Sequence, residues 1–277
     1  MKFNIPVIFT AAILWVVAPT AQAMVATPAG VEPDSHFTIS TADGAPIIGS
    51  DFVLGPTIPG KWGPPAFGTG ATVSWSLMPT GTSCAAEGGG CAISALNAFM
   101  PVGFQSQIQN AFNAWSAVAD ITFVQIPDDG AAFNAPTASG NIRVGGHALD
   151  GPSGTLAHGF FPLNNGLTAA GDIHFDTAEL WTIGFPGPGF DIFQVMAHEI
   201  GHAIGLDHTA VPNSLMNPFY TEAFSGPQTD DIAGAQFIYG ARATAVPEPA
   251  TLTLMGLGLF GMAWRRGRKG KLSQIQS

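Results

Sequence analysis

Eleven consecutive residues, His198 to His208, combine metal-binding side chains with a carboxylate in the pattern H-E-x-x-H-x-x-G-x-x-H. His198 and His202 are four residues apart, so on a helix their side chains share one face and can hold one metal ion. Gly205 predicts the end of that helix, because glycine turns the chain with positive φ at little cost. His208 then supplies a third nitrogen ligand, and the fourth position of a tetrahedral zinc site is left for water.

Glu199 lies next to these ligands in the sequence. Its carboxylate is expected to act as the general base that takes a proton from the attacking water. Zinc lowers the pKa of a bound water to about 7, which supplies a nucleophile at neutral pH. The alternative is a chance H-E-x-x-H on a structural helix, against which the additional fixed positions Gly205 and His208 argue.

Residue patterns elsewhere predict the elements that position this stretch. Alternating or β-branched residues predict strands at 71–77, 121–126, 141–144, 157–161 and 172–175. Amphipathic or capped segments predict helices at 101–118, at 190–204 with Asp191 as the N-terminal cap, and at 230–239. Strands and one helix come first, then more strands and two helices, which predicts an α+β fold.

Composition limits the classes of function. The 277 residues are enough for one sizeable domain, and 46% apolar content with 35 glycines and 22 prolines favours a loop-rich exported protein over a disordered one. All nineteen acidic residues lie between Glu32 and Glu248, where only Lys61, Arg143 and Arg242 are basic. This acidic body argues against nucleic-acid binding. Bound calcium would offset part of its charge.

The N-terminal end predicts export. Residues 1–23 have the features of a signal peptide: Lys2, an apolar run, and the small-residue cleavage site Ala21-Gln22-Ala23. Signal peptidase is therefore an expected partner, and the mature chain is expected to begin near Met24. Residues 24–60, rich in proline, glycine and threonine, predict a loose N-terminal segment.

The two cysteines, Cys84 and Cys91, predict a short disulfide loop in an exported protein, with two free thiols as the alternative. Many zinc proteases are kept latent by a pro-segment cysteine that occupies the zinc. No cysteine precedes Cys84 in this sequence, so that device is not expected here.

Near the C-terminus, Val246-Pro247-Glu248-Pro249 precedes an apolar stretch at 250–264 and a basic cluster that begins at Arg265. This arrangement resembles the PEP-CTERM sorting signal of bacterial exported proteins, here at 246–271. The resemblance implies removal of the tail by an exosortase-type enzyme, so that the product is at the cell surface or extracellular. A plain C-terminal anchor is the alternative. In either case only this short transmembrane stretch would contact a membrane, with the basic residues on the cytoplasmic side.

Five further segments carry a second resemblance: Ala111–Ser116, Asp150–His158, Gly171–Trp181, Ser214–Tyr220 and Asp230–Gly240. With the zinc motif they make residues 61–243 similar to a matrixin, the matrix metalloproteinase branch of the metzincins. The resemblance implies a zincin-like catalytic domain: a twisted, mostly parallel sheet with three helices and the zinc helix at the cleft. Met216 would form a hydrophobic floor beneath the zinc, and Pro218 and Tyr220 would line the pocket for the substrate residue after the cut. Ordinary core packing and a surface loop are the respective alternatives.

The same resemblance implies further metal sites. His158 and His174 match ligands of a second, structural zinc, although Arg143 and Gly145 replace the usual H-x-D pair and His147 would have to substitute. Calcium ligands are implied at Asp150, Asp176 and Glu179, completed by carbonyls of Gly151, Ser153 and Thr155. Asp172 is a candidate for another calcium. The alternatives are histidines that hydrogen-bond within a loop and solvated carboxylates.

The expected function is therefore that of a secreted, monomeric metalloendopeptidase that acts on polypeptides and binds zinc and calcium. The alternative is a cell-surface or biofilm-matrix protein on the same fold that is non-proteolytic or has very narrow specificity. An intact Glu199 favours the enzyme, because a binding module has no use for a general base there.

Overall fold

The computed structural model describes residues 21–25, 52–57, 60–88, 90–162 and 168–243. The chain divides into two compact units, Met1–Arg242 and Ala243–Ser277. Most of the predicted signal peptide, most of the N-terminal segment and the whole PEP-CTERM signal lie outside the described residues. Within the described part, no helix is long and apolar enough to cross a membrane. The predicted transmembrane stretch at 250–264 lies outside the residues to which this finding applies.

The main sheet has six strands in the order β1-β6-β7-β5-β3-β4. These strands are β1 (Ala21–Val25), β3 (Ala71–Leu77), β4 (Ile121–Gln125), β5 (Ile142–His147), β6 (Thr155–Phe160) and β7 (Ile173–Asp176). Strands β3, β4, β5 and β7 run parallel, whereas β6 is antiparallel to β7 and β1 is antiparallel to β6. With the three α-helices of the described part, this confirms the predicted α+β fold with a mostly parallel sheet.

Helix α1 (Phe104–Val118) covers one face of the sheet. Its apolar residues recur every three or four positions, and five of them are buried: Phe104, Ile108, Ala111, Phe112 and Trp115. Phe112 stacks on Trp75 of β3 with ring centroids 4.6 Å apart. The helix begins three residues later than predicted, after Gly103 with its φ of +100°.

Helix α2 (Ile192–Ala203) carries the predicted metal ligands, and eleven of its twelve residues are buried. As predicted, Asp191 caps it: the carboxylate accepts a hydrogen bond from the backbone N–H of Gln194 at 2.8 Å. The indole Nε1–H of Trp115 on α1 donates to the carbonyl oxygen of Ala197 at 2.8 Å, which fixes α2 against α1.

Helix α3 (Thr229–Tyr239) ends at Gly240, as predicted. The buried Tyr239 hydroxyl donates to the carbonyl oxygen of Ile204 and accepts from the backbone N–H of Trp62. Two small sheets that the sequence did not predict complete the described fold. They are β2 (Val53–Leu54) with β10 (Leu206–Asp207), and β8 (Trp181–Thr182) with β9 (Phe190–Asp191).

Candidate functional site: two histidine centres

Three histidines converge with their Nε2 atoms at the end of α2. The Nε2 atom of His202 lies 3.0 Å from that of His198 and 3.2 Å from that of His208, and the distance between the other two is 3.3 Å. Nitrogen ligands about 2.0–2.1 Å from a tetrahedral zinc ion lie about 3.3 Å apart. The structure therefore brings the three predicted catalytic ligands together in an arrangement that fits zinc.

The opposite nitrogens of the ligands are held by the backbone. His198 Nδ1 donates to the carbonyl oxygen of Leu215 at 2.6 Å, and His202 Nδ1 donates to that of Leu206 at 2.8 Å. These acceptors assign the proton to Nδ1 and leave the Nε2 lone pair for a metal. Burial lowers the pKa of His198 to about 3 and that of His208 to about 4, so both rings stay neutral, as ligands must be.

The turn after α2 depends on Gly205. Its φ is +110°, and a Cβ atom there would lie 2.1 Å from the carbonyl oxygen of Gly60. Strand β10 follows at once and pairs with β2, which directs the chain toward His208. Glycine is therefore required at this position both by backbone conformation and by close approach.

Glu199 is fully buried. Strand β6 approaches it closely at Gly159, where a Cβ atom would lie 2.8 Å from the Glu199 carbonyl oxygen and 3.2 Å from its Oε2. Oε1 accepts a hydrogen bond from the backbone N–H of Met24 at 3.3 Å, whereas Oε2 has no hydrogen-bond partner in the described residues. Burial raises the pKa of this carboxyl well above its usual value.

Met216 is buried against α2. A Cβ atom at Gly201 would lie 2.2 Å from the Met216 Sδ atom, so glycine in the middle of the helix admits the methionine. The turn that carries Met216 is held by Asp231 of α3, a residue that the sequence analysis missed. Its carboxylate accepts from the Ser214 hydroxyl at 2.6 Å and from the N–H groups of Leu215 and Met216 at 2.8 and 3.1 Å.

The predicted substrate-pocket residues lie just beyond this turn. Pro218 and Tyr220 are both half-buried. The Tyr220 hydroxyl accepts from the backbone N–H of Asp191 at 3.0 Å, and its ring meets Phe190 edge-on at 5.1 Å. The Tyr220 side chain is therefore hydrogen-bonded to the N-terminus of α2, the helix that carries the ligands His198 and His202.

A second cluster joins His147, His158 and His174 to Glu87. Strand register explains the histidines, because His158 lies opposite His174 in the β6–β7 pair. Glu87 Oε1 lies 3.1 Å from His147 Nε2 and 2.7 Å from His158 Nε2, and its Oε2 lies 2.7 Å from His174 Nδ1. One ligand atom from each of the four residues lies within 4.8 Å of every other, which fits a four-coordinate metal.

Glu87, which lies on the loop between Cys84 and Cys91, was not predicted from the sequence as a ligand. The two cysteines form a disulfide. Glu87 is the one acidic residue between them, and this was the available signal. Burial alone would raise its pKa, but hydrogen bonds from the three surrounding imidazoles hold it well below the usual range. Burial lowers the pKa of His174 to about 4.

The residues that replace the H-x-D pair have other roles. The fully buried Arg143 donates from Nε and Nη2 to the two carboxylate oxygens of Asp128 at 2.9 and 2.8 Å. Gly145 packs close to Ile93, where a Cβ atom would lie 2.7 Å from the isoleucine Cγ2. Asp172, the candidate for a second calcium, is fully buried and accepts a hydrogen bond from the Arg143 backbone N–H at 3.2 Å.

The predicted calcium residues surround the loop between β5 and β6. Their carboxylates accept hydrogen bonds from backbone N–H groups of that loop: Asp176 from Gly151, Glu179 from Ser153, and Asp150 from Thr155. In the described part of the chain, these three carboxylates do not form a group whose oxygens all lie within 4.8 Å of one another. Calcium binding at this loop stays a prediction.

This fold and site define the metzincin class of zinc-dependent peptidases. Its members are α+β domains in which one helix carries two histidines and a glutamate, and a third histidine follows a glycine turn. The sequence profile described as Matrixin matches residues 94–240, more than half of the chain. The chain belongs to the matrixin family. A second profile, described as the PEP-CTERM protein-sorting motif, matches residues 245–269.

Curated relatives include matrix metalloproteinases of animals. Stromelysin-3 of Xenopus laevis is 40% identical over 147 residues, which cover 51% of this chain and 29% of that protein. Matrix metalloproteinase-20 of Homo sapiens is 40% identical over 146 residues, with the same coverage of 51% and 29%. Matrix metalloproteinase-16 of Homo sapiens is 41% identical over 145 residues, 48% of this chain and 23% of that protein. The chain thus spans less than a third of the length of these relatives.

Proposed function

We propose that the protein is an exported, zinc-dependent endopeptidase. The observation that carries this proposal is the convergence of three Nε2 atoms within 3.0–3.3 Å of one another, with Glu199 on the same helix as two of them. The relatives named matrix metalloproteinase-20 and matrix metalloproteinase-16 support the same class of activity.

His198, His202 and His208 would hold the zinc. Their buried, neutral imidazoles present free Nε2 lone pairs, since the Nδ1 protons of the first two are used in backbone hydrogen bonds. When bound there, zinc would act as a Lewis acid that polarises the scissile carbonyl and lowers the pKa of a bound water to about 7. All further steps belong to side chains of the protein.

Glu199 moves the proton. Its buried carboxylate has one oxygen without a partner in the described residues, and that oxygen is available to accept a proton from the attacking water. The protonated carboxyl then delivers the proton to the amine of the leaving peptide.

The polypeptide substrate is proposed to bind as an added strand along β6. An extended peptide beside a sheet gains main-chain hydrogen bonds, and pockets that receive alternate side chains give specificity. Pro218 and Tyr220 are proposed to line the pocket for the residue after the cut. Tyr220 is suited to this role because its hydroxyl fixes it to the start of α2.

A second zinc is proposed at Glu87, His147, His158 and His174. Three imidazoles and one carboxylate are ligands that zinc prefers, and the four groups come from β5, β6, β7 and the disulfide loop. An ion there would crosslink those elements, so its role is structural. Calcium at Asp150, Asp176 and Glu179 is proposed on the resemblance alone.

Export is supported by the match to the PEP-CTERM sorting motif. We propose that signal peptidase and an exosortase-type enzyme process the two ends, and that a monomer acts at the cell surface or outside the cell.

The test compares the full chain with Glu199→Gln and with Asp120→Asn as matched control. Asp120 is exposed and precedes β4, at the opposite edge of the sheet from β6. Zinc content is measured beside cleavage of casein and of a peptide library. We expect all three proteins to hold zinc and only Glu199→Gln to lose cleavage, by at least about 10²–10⁴-fold. Equal cleavage by Glu199→Gln would refute the mechanism. If all three proteins hold zinc and none of them cleaves either substrate, the alternative of a cell-surface or biofilm-matrix protein on the same fold is favoured.

A further inference from the structure

The edge of the main sheet beside the zinc site is already occupied by a segment of the same chain. Strand β1 (Ala21–Val25) pairs antiparallel with β6, and Ala23 lies opposite His158 and Met24 opposite Ala157. Strand β1 also contacts α2, the helix that carries the zinc ligands. This is the place, beside β6, where an extended substrate would have to bind.

The side chain of Met24 in β1 is buried in the protein. Its exposed fraction is 1%, and it belongs to the same apolar core as Ala197 and Ile200 of α2. The pairing register shifts between Met24 and Val25, so the regular ladder is interrupted at this residue. Such irregularities redirect a strand locally, and they occur preferentially next to active sites.

The backbone nitrogen of Met24 donates to Oε1 of Glu199 at 3.3 Å. In the proposed mechanism, Glu199 gives its proton to the amine that leaves when the peptide bond is broken. The amide nitrogen within reach of Glu199 therefore marks the bond presented for hydrolysis. Here that nitrogen belongs to the bond between Ala23 and Met24.

We propose that residues 21–25 occupy the substrate groove in the direction of a substrate and that the zinc centre hydrolyses the bond between Ala23 and Met24. Water adds to the Ala23 carbonyl carbon, and the C–N bond breaks. The products are the Ala23 carboxylate and a Met24 amine, which takes its proton from Glu199. This inference rests on the proposed function. It adds a substrate class: peptides with a small residue before the cut and a long apolar residue, such as methionine, after it.

The chain thereby carries its own first substrate. Before the cut, β1 blocks the main-chain edge of β6 and fills the site of the residue after the cut with Met24. After the cut, the fragment that ends at Ala23 is no longer covalently attached, and the groove can exchange its occupant. The same bond is the predicted signal-peptidase site, so a test must exclude that enzyme.

The test uses the full chain made by cell-free translation without membranes and supplied with zinc. The N-terminal residue is followed over time by intact mass. We expect the wild type to acquire Met24 as its N-terminus, Met24→Leu to behave like it, and Glu199→Gln to remain uncut. We expect Met24→Asp to be cut at least about tenfold more slowly, because the pocket is apolar. The matched control is Val102→Asp, which also replaces an apolar side chain by aspartate but at a fully exposed position.

Occupancy is measured separately from cleavage. In the Glu199→Gln background, Met24→Asp should release β1 and accelerate hydrogen exchange of the amides in Thr155–Phe160, whereas Val102→Asp should not. Exchange in α1 reports whether each variant is folded.

Two results overturn the proposal: casein cleavage by wild type with the bond between Ala23 and Met24 intact, or exchange in β6 that Met24→Asp does not change. By contrast, Met24 could protect β6 from exchange while neither casein nor the chain is cleaved. That result supports the occupancy of the groove by β1 but overturns the proposed function.

Discussion

Replacing Glu87 by glutamine should separate the two metal centres. Glutamine keeps the size of the side chain but removes the charge that lies 2.7–3.1 Å from three imidazole nitrogens. Residues that only orient metal ligands change metal affinity by about 10–100-fold when mutated. Because Glu87 is itself a proposed ligand, Glu87→Gln should weaken the second zinc by at least about 100-fold, or about 2.7 kcal/mol.

The assay is a competition titration of the purified full chain with a chromophoric zinc chelator. Wild type should bind two zinc ions, and Glu87→Gln should keep one of wild-type affinity. Casein cleavage should survive at saturating zinc, because the ligands at His198, His202 and His208 are unchanged. Asp120→Asn is again the matched control, since Asp120 is exposed and belongs to neither cluster.

Two affinities that are unchanged in Glu87→Gln would refute the assignment of Glu87 as a ligand. Loss of both ions together would refute the independence of the two centres. Hydrogen exchange in α2 then shows whether the variant has lost its fold.

Three further substitutions test the packing and charges around the site. Gly201→Ala places a Cβ atom 2.2 Å from the Met216 sulfur and should destabilise the fold by about 1–3 kcal/mol, and an unchanged Tm would contradict this. Asp191→Ala removes the cap of α2 and should lower the free energy of unfolding in urea by about 1 kcal/mol. Asp128→Asn leaves the buried Arg143 unpaired and should cost about 3 kcal/mol at pH 7. Burial opposes ionisation of Asp128, but the hydrogen bonds from Arg143 outweigh it and lower the pKa. The stabilisation is therefore present above pH about 3.9 and disappears as pH falls through the lower folded value, so urea unfolding of wild type and variant should converge in acid.

Local patterns were sufficient to predict the helix that carries the zinc ligands. The four-residue spacing of His198 and His202 and the break at Gly205 are properties of one continuous segment, and the structure has α2 end just before that glycine. The predicted strands at 71–77 and 121–126 were likewise found within one residue of their bounds, because alternation is a local signal.

Residues that act across long sequence separations were missed. Glu87 meets His174 only because a disulfide loop folds over β7, and Asp231 reaches the turn at Met216 from a different helix. Strand β1 was hidden for another reason. The same small and apolar residues that indicate a signal-peptidase site also make a suitable edge strand, and no local pattern distinguishes the two uses.

The position of Glu87 between two bonded cysteines fixes an order of maturation. The loop closes only where thiols are oxidised, which for the exported protein proposed above means after the chain has left the cytoplasm. A chain that remains inside therefore lacks a preorganised fourth ligand and should hold the second zinc more weakly. Zinc content measured with and without reductant would then report whether a molecule has reached an oxidising compartment, in addition to whether it is folded.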